Sequence, residues 1–216
     1  MNTLTIKDPA DLLSFIGHTL GFWPQESLVC IQITLPVATH KAEYATAVEH
    51  HKEAIVNRPP ATAVHDAHEL WTGMLATKVY PTDQDVLKLI AYYQFPHIRD
   101  RLMADIPGIN EPSARILFAQ TTQAPNWSRI EWAKQLLTHT YTLAAPEYAA
   151  PILTTIGYIN WWEGRGSKAH QYLQLALDTD PGYRFARLTD HMLGAGIIAG
   201  WNTNKNTAHR NHLDMP

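Results

Sequence analysis

The sequence is poor in cysteine, in charge of one sign and in long apolar runs, and each shortage excludes a class of protein. A single cysteine, Cys30, among 216 residues cannot form an internal disulfide framework, which fits a reducing compartment. A formal net charge of −3 gives no general attraction to nucleic acid or to anionic membranes. No stretch reaches the ~18 consecutive apolar residues of a membrane span, and the first residues lack the basic start of a signal peptide. We therefore expect a soluble cytoplasmic protein that makes no membrane contact.

The sequence does have an apolar fraction large enough for a folded core. Hydrophobic residues make up 45% of the chain and charged residues 17%, a balance typical of globular domains. From about residue 41 onward the apolar residues recur at helical spacing, and proline, glycine and asparagine signals divide them. The predicted helices are 41–57, 61–77, 83–93, 97–105, 111–121, 128–143, 147–163, 167–179 and 183–194. We predict a mainly α fold, with a helical bundle over residues 41–201 and a flexible tail over 202–216.

Residues 1–40 are predicted to form a separate element of one helix and one strand. A helix start with a proline at its first position follows Asp8, and residues 27–35, SLVCIQITL, alternate apolar and polar side chains as a half-buried strand does. A lone strand leaves its backbone groups unpaired. It pairs either within the subunit, with residues 3–6 or 76–80 in a small sheet, or with its own copy across a homodimer.

Residues 150–181 have the spacing of a tetratricopeptide-like helical hairpin, in which small residues let two antiparallel helices come close together. Gly157 and Ala169 occupy the positions of close approach, and Pro181 occupies the closing position. A single unit of this kind cannot stack into a solenoid. The pair therefore either buries a core, as an ordinary helical hairpin does, or forms a groove that binds a peptide.

Two adjacent tryptophans, Trp161 and Trp162, lie at the end of the first helix of this hairpin. Consecutive helical side chains diverge by about 100°, so we expect one of the two indoles to be exposed. With Tyr158 they form the predicted contact surface for an unknown protein partner, because aromatic residues are enriched at interfaces. This interpretation favours a non-enzymatic interaction or scaffold module that needs no cofactor.

Two segments resemble a known family. PADLLSFIGHTLGFWPQESLVCIQI, from Pro9 to Ile33, is similar to the opening of the actinobacterial family called domain of unknown function 4192. The hairpin is similar to that family's closing segment, through Trp162, Gly164 and the Asp-Pro-Gly-Tyr motif that begins at Asp180. Family members have a longer, mixed α/β middle, so the resemblance implies a shortened member in a bacterial cytosol. It implies no reaction, because the family has no established activity.

A helix-hairpin-helix motif over residues 103–118, MADIPGINEPSARILF, supports an alternative function in DNA binding. Such motifs present the backbone N–H groups of a Gly-apolar-Gly turn to a phosphate. Gly108 and Asn110 would supply the left-handed residues of the turn, and Arg115 is the nearby cation. Acidic residues flank the turn on both sides, and they oppose the counterion release that DNA binding needs. Nucleic acid is therefore the weaker hypothesis.

A metal-dependent enzyme is the third hypothesis. His65 and His68 are three residues apart on a predicted helix, so both can reach one metal ion, and Glu69 would complete the ligands. The order matches neither H-E-x-x-H nor H-x-x-E-H, and no third ligand follows at a fixed spacing. Because the chain has 12 histidines, surface and helix-packing roles explain this pair better than a metal site does.

Overall fold

The computed structural model describes residues 42–209, and the regular structure in that part of the chain is entirely helical. The helices are α1 (Ala42–Val56), α2 (Pro60–Thr77), α3 (Asp83–Tyr93), α4 (Pro96–Asp105), α5 (Ser113–Leu117), α6 (Trp127–Leu143), α7 (Pro146–Trp162), α8 (Gly166–Thr179) and α9 (Arg184–Gly194), followed by a 3-10 helix (Gly200–Thr203). The predicted mainly helical fold is confirmed for these residues. The predicted strand at 27–35 lies outside them.

Local sequence signals determine where the helices begin. A proline occupies the first turn of α2, α4 and α7, where its missing N–H costs nothing. Thr82 caps α3 by accepting a hydrogen bond of 3.3 Å from the backbone N–H of Asp85. Asn126 caps α6 in the same way, accepting a bond of 3.1 Å from the N–H of Arg129. Eight of the predicted helices consequently agree with the structure to within one residue at each end.

Two predictions of local structure are wrong. The helix predicted over 111–121 is only α5, because the chain turns at Ala119, whose φ of 54° lies in the left-handed region. Residues 76–80 are not a strand: α2 runs to Thr77 and ends at Lys78, which is also left-handed with a φ of 52°. Within residues 42–209 there is thus no strand that could pair with residues 27–35.

Helix α7 is the most deeply buried element of the described chain. Every residue from Tyr148 to Trp162 is buried, because α7 packs against α3, α6, α8 and α9. Its closest neighbour is α8, and the two come together at Gly157. A Cβ atom there would lie 3.1 Å from Cγ of Leu173 and 3.2 Å from the carbonyl oxygen of Ala169. The prediction that Gly157 and Ala169 permit a close approach of two helices is confirmed.

The helices at the N-terminal end of the described chain form a second set of packing contacts. Helix α1 packs mainly on α3, and α2 packs mainly on α4. All of the described residues belong to one compact unit. None of the described helices combines the length with the apolar composition that a bilayer crossing requires. The predicted boundaries near residues 40 and 201 stay predictions.

Candidate functional site

Tyr158, Trp161 and Trp162, which we call the aromatic triad, lie close together at the C-terminal end of α7. The ring centroid of Tyr158 is 5.0 Å from that of Trp161 and 5.4 Å from that of Trp162. The exposed fractions of the three residues are 5%, 3% and 0% in chain order. The expectation that one tryptophan is exposed is therefore wrong, because other segments of the chain cover both sides of the end of α7.

The polar atoms of the triad bond to those covering segments. Nε1–H of Trp162 and the hydroxyl of Tyr158 both donate to the carbonyl of Leu117, at 3.1 and 2.9 Å. Nε1–H of Trp161 donates to the carbonyl of Ile197 at 2.8 Å. A buried indole or phenol needs such a partner. The side chains predicted to contact another protein thus attach α7 to the end of α5 and to the segment after α9.

Further aromatic rings extend the triad toward the end of the described chain. Trp162 lies 5.4 Å from Trp201, Trp201 lies 5.9 Å from Trp127, and Trp127 lies 4.9 Å from His209, all between ring centroids. Nε1–H of Trp127 also donates to the carbonyl of Thr207 at 3.2 Å. The first part of the predicted tail therefore makes defined contacts, whereas the flexibility of residues 202–216 stays a prediction.

Four exposed apolar side chains lie on the segments that contact the triad, and we call them the apolar rim. Their exposed fractions are each above one half: Phe118 54%, Leu188 55%, Ile197 52% and Ile198 61%. Phe118 directly follows Leu117, and the carbonyl of Ile197 accepts the bond from Trp161. Leu188 lies one turn after Phe185, whose ring centroid is 5.5 Å from that of Tyr158. The rim therefore stands on the segments that the triad attaches.

Backbone contact joins two of these segments directly. A Cβ atom on Gly200 would overlap the carbonyl oxygen of Ala119, so the chain after α5 and the first residue of the 3-10 helix touch. Trp201 reinforces the contact by donating from Nε1–H to the hydroxyl of Thr121 at 2.7 Å. The rim residues Phe118 and Ile198 are close in sequence to this contact, so short stretches of packed backbone connect them.

The solvent-facing side of α9 is basic. Arg184, Arg187 and His191 are exposed at positions i, i+3 and i+7, and the rim residue Leu188 lies among them at i+4. We call these three side chains the basic face of α9. It gives a chain of net charge −3 a local positive surface beside an apolar one.

Arg99 is an important residue that the sequence analysis missed. Only 7% of it is exposed, yet its guanidinium donates to the hydroxyl of Tyr183 at 2.6 Å and lies 4.3 Å from the ring centroid of Phe185. This contact attaches α4 to the Asp-Pro-Gly-Tyr motif at the start of α9. No local pattern could have shown it, since 84 residues separate the two partners.

The turn predicted to bind DNA is only partly as expected. Gly108 has a left-handed φ of 67°. Asn110 does not, since the left-handed residues other than glycine among 42–209 are Lys78 and Ala119. A Cβ atom on Gly108 would lie 3.3 Å from Cδ of Arg129, so this side of the turn faces the start of α6.

The cation assigned to that DNA hypothesis is engaged within the chain. Arg115 forms an ion pair of 3.4 Å with Glu111 and donates to the carbonyl of Gln120 at 2.8 Å. It lies on α5, which has only five residues. The basic neighbour that the motif needs is therefore paired with one of its acidic flanks.

The three residues predicted to bind a metal do not form one cluster, because each has different surroundings. Nδ1 of His68 lies 2.7 Å from a carboxylate oxygen of Asp105, whereas His65 and Glu69 are exposed. Across residues 42–209, no three His, Cys, Asp or Glu side chains come together as a metal ion would require. The structure thus gives His68 a hydrogen-bond partner on α4.

A cleft between α1, α2 and α3 is the site that sequence reasoning missed entirely. It has a volume of about 310 Å³, and its apolar lining includes Ile55, Leu70 and Tyr92. Four polar side chains line the remainder: His51, Arg58, Asp66 and Lys88. The lining residues come from three helices and from the turn after α1, and they extend along the chain from His51 to Tyr92. Only the folded chain brings them together.

Comparison with known proteins assigns a family to the chain. The model of a domain of unknown function (DUF4192) matches residues 34–198. That range includes the motif at Asp180 and the central helices, and it begins directly after the N-terminal segment that resembles the family. No curated protein and no solved structure gives a significant match. Because the matched range covers well over half of the 216 residues, the chain belongs to the family described as a domain of unknown function, DUF4192.

Proposed function

We propose that the chain is a non-enzymatic protein–protein interaction module that binds its partner at the apolar rim and the basic face of α9. The observation that carries this proposal is the rim itself: four apolar side chains stay more than half exposed on segments that buried hydrogen bonds attach to the end of α7. We propose that these side chains form one apolar surface, and such surfaces on a folded protein are characteristic of interaction sites. Because the segments that carry the rim are already packed, binding orders fewer groups, and its entropy cost is lower.

The size of the rim favours a short partner segment. Four side chains of this exposure present on the order of 400 Å² of apolar surface. A stable interface buries about 800 Å² on each partner, so the rim alone is too small for a permanent dimer. A twofold dimer would also bring the basic face of α9 against its own copy.

The charge of α9 defines the chemistry of that segment. Arg184, Arg187 and His191 favour a partner that carries acidic side chains next to its apolar anchors. We therefore propose an acidic peptide segment of another protein as the occupant. In this proposal the chain acts in the cytoplasm, and α7 and α8 are a tetratricopeptide-like hairpin that supports the surface from within.

Site-specific photocrosslinking tests the proposal. A benzophenone amino acid would be placed at Ile198 in the rim and, as the matched control, at Val79, which is 66% exposed between α2 and α3. After irradiation in nuclease-treated cytosol, we expect one protein to crosslink at position 198 and not at position 79. The crosslinked peptide of that protein should carry an acidic segment with apolar residues.

Affinity measurements with the identified peptide complete the test. We expect Ile198→Asp to weaken binding at least tenfold, and Arg187→Glu to weaken it about fivefold with a reduced dependence on salt. Val79→Asp should leave the affinity unchanged, and circular dichroism should show that all three variants stay helical. Equal losses in the rim and control variants would contradict the proposal. Crosslinks at position 198 that form only when the nuclease is omitted would instead favour DNA binding, with Gly108→Asp as its test.

A further inference from the structure

The cleft between α1, α2 and α3 has the composition of a small-ligand site. We propose that it binds a small organic anion, with an apolar body against Ile55 and Leu70 and a carboxylate or phosphate group at Arg58 and Lys88. This inference is independent of the interaction function proposed above, because none of these residues belongs to the apolar rim or to the basic face of α9.

The dimensions of the cleft suit a ligand the size of one aromatic ring with an acidic substituent. Its volume of about 310 Å³ lies at the lower end of the range for small-molecule sites. Ile55 and Tyr92 are buried, and Leu70 is half-buried, so the floor is apolar and comes from rigid helices. An apolar body seated there would remove further hydrophobic surface from water.

The polar groups of the cleft favour an anion over a cation. The guanidinium of Arg58, the ammonium of Lys88, the imidazole of His51 and the hydroxyl of Tyr92 can donate hydrogen bonds to a ligand. The lining has one carboxylate, that of Asp66. A bound carboxylate or phosphate would thus meet four donors, one carboxylate in the lining and a second carboxylate, that of Asp85, paired with Lys88.

Asp66 orients the principal cation without using all of its donors. Nη1 of Arg58 lies 2.6 Å from a carboxylate oxygen of Asp66. A guanidinium has five N–H donors in a planar fork, so further donors remain for a ligand. The pair is largely exposed, and such pairs contribute little to stability. Arg58 can therefore adjust to a ligand at a small cost in free energy.

The ionisation of His51 is consistent with a positive potential in the cleft. Burial lowers the pKa of His51, and the charges of Lys88 and His50 lower it further. Lys88 keeps its charge close to the cleft because its ammonium pairs at 3.1 Å with Asp85 at the start of α3. An anion that enters would oppose this effect and favour the protonated form of His51.

An NMR titration with three probes tests the inference on the full chain. Phenyl phosphate combines both proposed features, inorganic phosphate has only the charge, and benzyl alcohol has only the ring. We expect saturable amide shifts in residues 51–58, 66–70 and 88–92 with phenyl phosphate at millimolar concentrations. The other two probes should bind at least tenfold more weakly. Benzoate in place of phenyl phosphate distinguishes a carboxylate site from a phosphate site.

Three variants make the test specific. Arg58→Gln should weaken phenyl phosphate binding about fivefold or more, and Asp66→Asn should strengthen it, since a like charge is removed. Arg187→Gln on α9 is the matched control and should change nothing. Shifts that do not saturate, or that persist unchanged in Arg58→Gln, would overturn the inference. Because Arg58→Gln leaves the rim intact and Arg187→Gln leaves the cleft intact, this failure is distinguishable from failure of the interaction proposal.

Discussion

Two ion pairs of nearly equal length, one beside the end of α7 and one in the cleft, lie in opposite surroundings. Lys134 and Glu163 are 2.7 Å apart beside the end of α7, where the exposed fractions of their side chains are 12% and 1%. Arg58 and Asp66 are 2.6 Å apart in the lining of the cleft, with side chains 51% and 35% exposed. The buried pair is part of the packing, whereas the exposed pair is screened by water.

The aromatic residues show the same contrast. Around α7 their polar atoms bond to backbone carbonyls of distant segments, so the ring cluster fixes the course of the chain. Around the cleft, the helices meet at an open space lined by charged side chains. The packed region around α7 supports a surface rigidly, whereas the cleft can adjust to a ligand. Four sets of variants test this difference.

Removing Trp162 should have the largest effect. It is fully buried, so Trp162→Ala should lower the free energy of unfolding by about 4 kcal/mol. Val79→Ala, at an exposed apolar residue between α2 and α3, should change it by less than about 0.5 kcal/mol. Urea unfolding followed by circular dichroism measures both. A loss below about 1.5 kcal/mol for Trp162→Ala would show that the end of α7 is not fixed by its rings.

The second-largest effect should be the difference in stability between removing a cation from the buried ion pair and removing one from the exposed ion pair. Lys134→Met leaves the carboxylate of Glu163 buried, with Arg165 at 3.4 Å as its remaining partner, and should cost about 3 kcal/mol. Arg58→Met should cost no more than about 0.5 kcal/mol. The same denaturant experiment gives both values. Equal costs would mean that burial does not distinguish the two regions.

Replacement of glycine by alanine should change the free energy of unfolding in opposite directions in the two regions. Gly200→Ala places a methyl group on the carbonyl oxygen of Ala119 and should destabilise by about 2 kcal/mol. Gly73 lies inside α2, and a Cβ atom there would meet nothing within 4 Å. Gly73→Ala should therefore stabilise by about 0.7 kcal/mol through the higher helix propensity of alanine. Melting temperatures that shift in the same direction would contradict this comparison.

The smallest effect concerns pH. A hydrogen bond from the hydroxyl of Thr82 lowers the pKa of Asp85, and Lys88 lowers it further. Because the unfolded chain binds this proton more readily, the stabilisation is complete at neutral pH and is lost as the pH falls through the folded pKa. Asp85→Asn should cost about 0.5 kcal/mol at pH 7 and close to nothing at about pH 2. A cost that is independent of pH would exclude the charge as its cause.

Helix positions were predictable because their signals are local. Thr82 and Asn126 cap α3 and α6 through residues three positions away, and prolines mark other helix starts. The burial of Trp161 and Trp162 was not predictable, since adjacent residues diverge on a helix and only the covering segments at Leu117 and Ile197 bury both.

The cleft and the Arg99 contact were hidden for the same reason. Arg58, Asp66 and Lys88 follow no common spacing, and Arg99 meets Tyr183 across 84 residues. The resemblance to a family was detectable because its motifs are contiguous, such as the four residues that begin at Asp180. Sites built by packing between helices require the folded chain.

The contacts of Trp201 also have a consequence for synthesis on the ribosome. Its indole bonds to Thr121, 80 residues earlier, and its ring lies against Trp162. Until Trp201 has left the exit tunnel, the rings at the end of α7 lack part of their cover, however early the preceding helices form. Contacts of such long sequence separation form late and leave apolar surface open in the meantime. The nascent chain thus passes through a stage in which the C-terminal end of α7, the most apolar of the described helices, is incompletely covered and accessible to chaperones.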